Sequence, residues 1–244
     1  MTIHILNSLT IRPYLTPIHG GVTILLVETD QGPILVDAGL GLSDHLRPTR
    51  MMRIYRWAYR ASSGLGGTAF QLVQAFGYRP EQVGHILLTH LHLDHAGGLA
   101  DFPQAKVHIF MTELAYIQSH PNWKYIPSHW AHRPDWVVHT PSGEKWLGLD
   151  AIRLDGLGLE MWMVPLPGHT PGHVGIALPD GDGWILYGGD ALPYNARVDL
   201  VPAWLARHVI YHHAPRLRRF ALAHPEVRLV AGHMSRGFYQ NQLP

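Results

Sequence analysis

The stretch Leu88-Thr89-His90-Leu91-His92-Leu93-Asp94-His95-Ala96-Gly97-Gly98 decides the reading of this chain. An apolar run, His85 to Leu88, leads into it and reads as a strand, and a glycine pair closes it. Four ligand-type side chains, His90, His92, Asp94 and His95, fall within six residues. Alternate residues of an extended segment share a face, so His90 and His92 can chelate one ion together. Asp94 and His95 stand where the chain turns toward a helix and can serve a second ion beside the first. Imidazole nitrogen and carboxylate oxygen suit Zn²⁺, Mn²⁺ or Fe²⁺.

A metal site needs several converging groups, and three more candidates share one setting. Each lies just past a short apolar run and follows a glycine, which permits a tight turn and close backbone approach. His169 lies in Pro167-Gly-His-Thr-Pro-Gly-His173, after Leu159 to Val164. Asp190 lies in Gly188-Gly-Asp190, after Trp184 to Tyr187, and His233 in Ala231-Gly-His233, after Val227 to Val230. The chain has 19 His against 18 Asp plus Glu, and no Cys. Thiolate ligands, disulfides and Cys nucleophiles are thereby excluded.

In this combination and order, from about Val22 to His233, the sequence resembles the metallo-β-lactamase-fold hydrolases. The resemblance implies an α/β fold, a four-layer αββα sandwich. It also implies one domain over residues 1–244, made of two similar halves that meet near residue 145, with a two-metal site at the sheet edges. By the same resemblance His90, His92 and His169 bind one ion, Asp94, His95 and His233 bind the other, and Asp190 bridges them. Asp37, in Val36-Asp-Ala-Gly39, matches the family's Asp-x-Gly turn and would fix a ligand histidine by hydrogen bond. His173 matches a family position that is structural more often than it is a ligand. Two divalent ions, Zn²⁺ ahead of Mn²⁺, Co²⁺ and Fe²⁺, would share a hydroxide that attacks a carbonyl or phosphoryl centre. Asp94 would shuttle the proton.

Among the branches of that family, the bridging Asp190 argues against true β-lactamases. The segment Thr89 to Gly98 looks much like the N-acyl-homoserine lactonases, which carry a Tyr after the bridging Asp to hold the lactone carbonyl. Tyr194 is the candidate here. The expectation is a dinuclear hydrolase that opens an ester or lactone, with N-acyl-homoserine lactones as the leading substrate. A glyoxalase II-type thioesterase shares the ligand set, although the chain runs only eleven residues past His233. An arylesterase or organophosphate hydrolase is compatible with the same ligands. More distant readings are a mono-iron persulfide dioxygenase, which needs only a subset of them, and a tRNA-processing nuclease.

The rest of the chain frames that site. An apolar fraction of 46% with 15% charged residues is a globular composition, and a net charge of +1 makes no electrostatic case for nucleic acid or anionic membrane. The first fifteen residues carry no early cationic cluster and no long apolar core, so the expectation is a soluble, cytoplasmic protein with a small-molecule substrate. Short apolar runs at 22–27, 33–36, 107–110 and 174–178 read as further strands, with helical patterns near 45–60, 67–76, 112–119, 198–213 and 215–223. Their interleaving argues for layered α/β structure. At 100° per residue Arg50, Arg53, Arg56 and Arg60 fall opposite Met51, Met52, Ile54, Tyr55, Ala58 and Tyr59, which predicts a helix packed on its own domain with a solvated Arg face. The 45–76 region is the candidate homodimer contact. Residues 120–146, crowded with Trp, His and Pro, read as an irregular loop that, with the 45–76 helices, would wall the acyl part of the substrate, Trp130 and Trp136 being the candidate contacts.

Overall fold

The computed structural model describes residues 1–12, 14, 20–62, 64–120, 122–192, 195 and 213–239. The strands of the first half form one sheet: β1 (Thr2–Ile11), β2 (Gly20–Thr29), β3 (Gly32–Val36), β4 (His85–Leu87), β5 (Lys106–Phe110) and β6 (Asp135–His139), hydrogen-bonded in that order. A second sheet holds β9 (Ile152–Leu154), β10 (Met161–Pro165), β11 (Val174–Asp180), β12 (Gly183–Tyr187) and β13 (Val227–Val230). Between them in sequence, β7 (Lys145–Trp146) and β8 (Leu149–Asp150) form a small ribbon. The last strand, β14 (His233–Ser235), crosses to the first sheet and pairs with the start of β2.

The two sheets pack face to face because their strands are apolar on both sides. Along β2, Leu25 and Val27 enter the core between the sheets, where they meet Met163, Ile176, Leu178, Ile185 and Tyr187. Ile24 and Leu26 point the other way, into a second core under Ala69, Leu72 and Val73. Those three belong to the helix α3 (Ala69–Ala75), for which helices α1 (Leu42–Leu46) and α2 (Arg50–Ala58) prepare the way. On the far face of the second sheet, Ala177 and Leu186 pack under Leu217 and Phe220 of a C-terminal helix, Ala214–Ala223. The result is a helix–sheet–sheet–helix stack. Each of these fully buried aliphatic side chains contributes ~1.5–3 kcal/mol, and the burial on both faces is why the strands read as near-continuous apolar runs.

The observed strands match the expected runs to within about two residues, and three departures have local causes. The expected 45–60 helix is two helices, because Pro48 disfavours helical backbone at Arg47, and Thr49 restarts the chain by accepting the Met52 N–H at 3.1 Å. On α2 Met52 and Tyr55 are buried and Arg50 and Arg53 exposed as the wheel predicts, with Arg60 exposed just past its end, but Arg56 is half-buried and Ile54 faces solvent. Residues 120–146 are less irregular than their composition: Asp135–His139 adds to the sheet edge, parallel to β5. The N-terminal strand β1 carries no clear strand pattern, its polar His4, Asn7 and Ser8 breaking the alternation. The expected 198–213 helix lies outside the described residues. Among those described, no helix is long and apolar enough to cross a membrane.

Candidate metal centre

The strands β3, β4, β10, β12 and β13 end at one place, and each hands a polar residue to it. Asp37 follows β3 directly, and His90 lies three residues past Leu87. His169 follows β10, Asp190 follows β12, and His233 opens β14 three residues beyond β13. Just past His90 the chain enters the helix α4 (Leu93–Ala96), which brings Asp94 and His95 inward. All seven residues expected at the site, His90, His92, Asp94, His95, His169, Asp190 and His233, therefore stand together.

They fall into overlapping groups whose ligand atoms lie within 4.8 Å of one another: His90, His92 and His169; Asp94, His95 and His233; and His90, His95 and Asp190. Asp190 spans the first two groups. Its Oδ2 is 3.3 Å from Nε2 of His169, while its Oδ1 is 3.3 Å from Nε2 of His95 and 3.3 Å from Nε2 of His233. Ligand atoms about 2.0 Å from a shared ion stand about 3.3 Å apart in a tetrahedron.

The protons of the site fit the same reading. Asp37 Oδ2 accepts Nδ1–H of His95 at 2.7 Å, which leaves the lone pair on Nε2. The Thr89 hydroxyl lies 2.9 Å from Asp37 Oδ2 and 3.1 Å from Oδ1 and gives its proton there. It can then accept Nδ1–H of His90 at 3.0 Å, which again leaves the Nε2 lone pair inward. Among the described residues, Nε2 of His90, Nε2 of His95 and Oδ1 of Asp190 are buried without a hydrogen-bond partner. Three acceptor lone pairs aimed at one another and away from water call for a cation. The donor set is nitrogen and oxygen only, and it fits divalent metal.

Electrostatics sort the histidines. Burial, then crowding by neighbouring imidazoles, holds His90 and His92 neutral, well below the ordinary histidine range. Burial also lowers His169, against the pull of Asp190. Burial is the largest influence on His95 and His233 too and opposes their protonation, but Asp190 together with Asp37 at His95, and Asp190 together with Asp94 at His233, outweighs it and raises both. Asp190, although buried, is held well below the carboxylate range by His233, His95 and His169.

Asp37 itself sits at φ +58°, a left-handed conformation costly for a residue with Cβ. Its carboxylate is fixed by the Thr89 N–H at 2.8 Å, by His95 and by the Tyr187 hydroxyl at 2.9 Å, enough bonds to over-determine the strained turn. The buried His173 is not in the ligand groups; its Nε2 accepts the Asp190 N–H at 3.1 Å and steadies that residue's backbone.

Glu113, which nothing in the sequence singled out, ties the ligand loops together. It is buried on helix α5 (Met111–Ser119). It accepts the Leu91 N–H at 3.0 Å, the Tyr125 hydroxyl at 3.3 Å and the Thr170 hydroxyl at 2.6 Å. Leu91 lies between two of the histidines and Thr170 follows a third. A Cβ on Gly172 would overlap the Glu113 backbone, so this close approach requires glycine.

A cleft opens over His92, Asp94, His169, Asp190 and His233, walled by Ile11, Tyr55, Tyr59, Leu93, Trp123 and Lys124. The two expected wall residues stand elsewhere. Trp130 ends a short 3-10 turn and Trp136 lies on β6, and both pack half-buried against the core beneath α3, drawn there by apolar partners rather than by the cleft. The aromatic side chains that line the cleft are Tyr55 and Tyr59, from the 45–76 helices, and Trp123, from the 120–146 segment. Tyr194 lies outside the described residues.

Residues 18–233 match the metallo-beta-lactamase superfamily. The chain belongs to that superfamily. Over 181 residues it is 40% identical to a probable metallo-hydrolase of Mycobacterium tuberculosis, a match spanning 72% of this chain and 58% of that protein. The chain thus covers under two thirds of that relative's length. The N-acyl homoserine lactonase AttM of Agrobacterium fabrum is 26% identical over 177 residues, 66% of this chain and 62% of AttM. In fold, the chain is similar to AiiA of B. thuringiensis, solved as a variant with N-decanoyl-L-homoserine at its active site. The TM-score is 0.74 at 18% identity, covering 99% of this chain and 96% of AiiA. Membership of the superfamily implies divalent metal ions, for which the His and Asp groups described are the candidate ligands.

Proposed function

We propose that this chain is a hydrolase that holds two divalent ions, Zn²⁺ first, and opens lactones or esters, with N-acyl-homoserine lactones as its substrate class. The observation that carries the reading is the division of Asp190 between the two histidine groups, one oxygen toward His169 and the other toward His95 and His233. His90, His92 and His169 would hold one ion, Asp94, His95 and His233 the second, and Asp190 both. Such a pair supplies a nucleophile at neutral pH and polarises a carbonyl.

The chain's own groups do the rest. Asp37 and Thr89 hold the imidazoles of His95 and His90 in the tautomers that turn Nε2 inward. Asp94 lines the cleft, which supports it as the group that would carry the proton from nucleophile to leaving oxygen. Tyr55, Tyr59 and Trp123 present apolar surface for an acyl chain, and Lys124 stands beside them as a cation for the carboxylate that ring opening releases. The likeness of sequence to AttM and of fold to AiiA supports the choice of lactone over thioester.

The test is proton release in a pH-stat from metal-loaded protein. N-acyl-homoserine lactones of several lengths are offered beside an aryl ester and a glutathione thioester, each with and without chelator. Chelator-sensitive turnover led by lactones is the expected result. Turnover led by the thioester would replace the lactone reading, and no turnover of any of them would overturn carboxylic ester hydrolysis.

A further inference from the structure

Helix α2 stands out in the sequence as an amphipathic Arg-faced element, and the metal-ligand set does not use it. Its inward face brings Tyr55 and Tyr59 to the cleft, their rings stacked at 4.7 Å. Tyr55 is 4% exposed, and its hydroxyl donates to Asp94 Oδ2 at 2.9 Å. Among the described residues this is the one hydrogen bond made to that carboxylate. The helix is fixed behind it: Thr49 caps the first turn, and Met52 is fully buried against Leu9, Leu40 and Leu93.

A carboxylate at the start of a short helix can turn about its last bond and exchange its two oxygens. It can also face an ion with both at once. A buried donor on Oδ2 removes that freedom and leaves Oδ1 as the oxygen available to the group that Asp94 forms with His95 and His233. We propose that Tyr55 is a positioning residue which holds Asp94 as a single-oxygen ligand of the second ion and makes α2 part of the active site. The proposal rests on the reading of Asp94, His95 and His233 as an ion site, and it is independent of which ester is cleaved. A tyrosine present only to pack would not register the loss of its hydroxyl, since its ring is what fills the space.

Tyr55→Phe therefore separates the two roles. Parent and variant are stripped of metal and titrated with Zn²⁺ by calorimetry and with Co²⁺ by visible absorption. The first ion should bind as in the parent. The second should bind about 10- to 100-fold more weakly, with a changed Co²⁺ spectrum, while metal-free Tyr55→Phe melts close to the metal-free parent. On whichever ester the parent cleaves, kcat should fall with KM nearly unchanged. Adding Tyr55→Phe to Asp94→Asn should cost no further affinity, and Tyr59→Phe should keep the parent affinity. Parent-like binding and spectrum in Tyr55→Phe, or additive losses in the double variant, would overturn the proposal, as would a parent that binds only one ion. A parent that binds two ions but opens no lactone would defeat the substrate assignment and leave the Tyr55 role standing on its metal titrations.

Discussion

Asp37 Oδ2 lies 2.7 Å from Nδ1 of His95, and both side chains are fully buried. That bond selects which ring nitrogen faces Asp190 and His233. An asparagine tolerates the left-handed backbone that Asp37 adopts, so Asp37→Asn keeps the turn while removing the charge. The amide accepts the His95 proton less strongly and can reverse to present N–H instead. We expect the second divalent ion to bind about 10- to 100-fold more weakly, with far-ultraviolet circular dichroism unchanged. Competition against a chromophoric chelator measures this, and parent affinity in Asp37→Asn would show that the bond does not orient the ligand.

Glu113 is the hub on the other side of the centre. Glu113→Ala would strand the Leu91 N–H and the Thr170 and Tyr125 hydroxyls, each a buried donor that water does not easily reach. At ~1–3 kcal/mol for each unsatisfied group, with partial relief by rearrangement, we expect about 3 kcal/mol off the unfolding free energy in urea. Glu113→Gln keeps one carbonyl oxygen, and the Thr170 hydroxyl can turn to accept, so its loss should be less than half as large. Equal losses in the two variants would mean that the ring of donors is not what Glu113 serves.

How much of this was legible in the sequence depends on the range of the interaction. His90, His92, Asp94 and His95 sit within one turn, so their chemistry is read directly from spacing. His169, Asp190 and His233 are far apart in the chain, yet each follows a strand-like run and a glycine, and strands of one sheet that run together end together. The layered architecture was legible for the same reason, since runs apolar on both faces must be covered on both. Tyr55, Glu113 and Tyr187 act across 39, 57 and 150 residues of chain. A Tyr on a helix or a Glu among apolar neighbours carries no local mark of such a partner. Trp130 and Trp136 pack against the core rather than the cleft: aromatic crowding in sequence says that surface will be buried, not against what.

A chain of imidazoles crosses the first sheet away from the centre. Nδ1 of His85 is 2.9 Å from Nε2 of His108, whose Nδ1 is 2.9 Å from Nε2 of His139. Burial first, then His139, His85 and Lys106, lower His108 to about 3, and burial lowers the outer two. The unfolded chain therefore takes up protons that the folded chain refuses, and stability falls as pH drops from about 6.5 toward 3. The full effect is on the order of a few kcal/mol. In His108→Leu the outer rings, both half-buried, turn to water. Urea midpoints of metal-free parent and variant, measured from pH 7 to pH 4, should converge as pH falls. Parallel pH profiles would show that His108 does not contribute to the acid sensitivity.

Trp123 is 41% exposed at the mouth of the cleft, with the Lys124 ammonium 5.9 Å from its ring centroid. A long acyl chain leaving the metal centre would lie on this ring, and a short one would end before it. Each methylene buried is worth ~0.8 kcal/mol, close to fourfold in affinity. Removing a surface that covers about two methylenes should therefore raise KM roughly tenfold for decanoyl-homoserine lactone and leave the butanoyl compound nearly unchanged. Trp123→Ala, assayed on both lactones with kcat and KM separated, gives the comparison. Trp130→Ala serves beside it as the residue that packs on the core, and should change folding stability without altering the ratio of the two KM values. A ratio moved by Trp130→Ala and not by Trp123→Ala would return the acyl wall to the 127–136 segment.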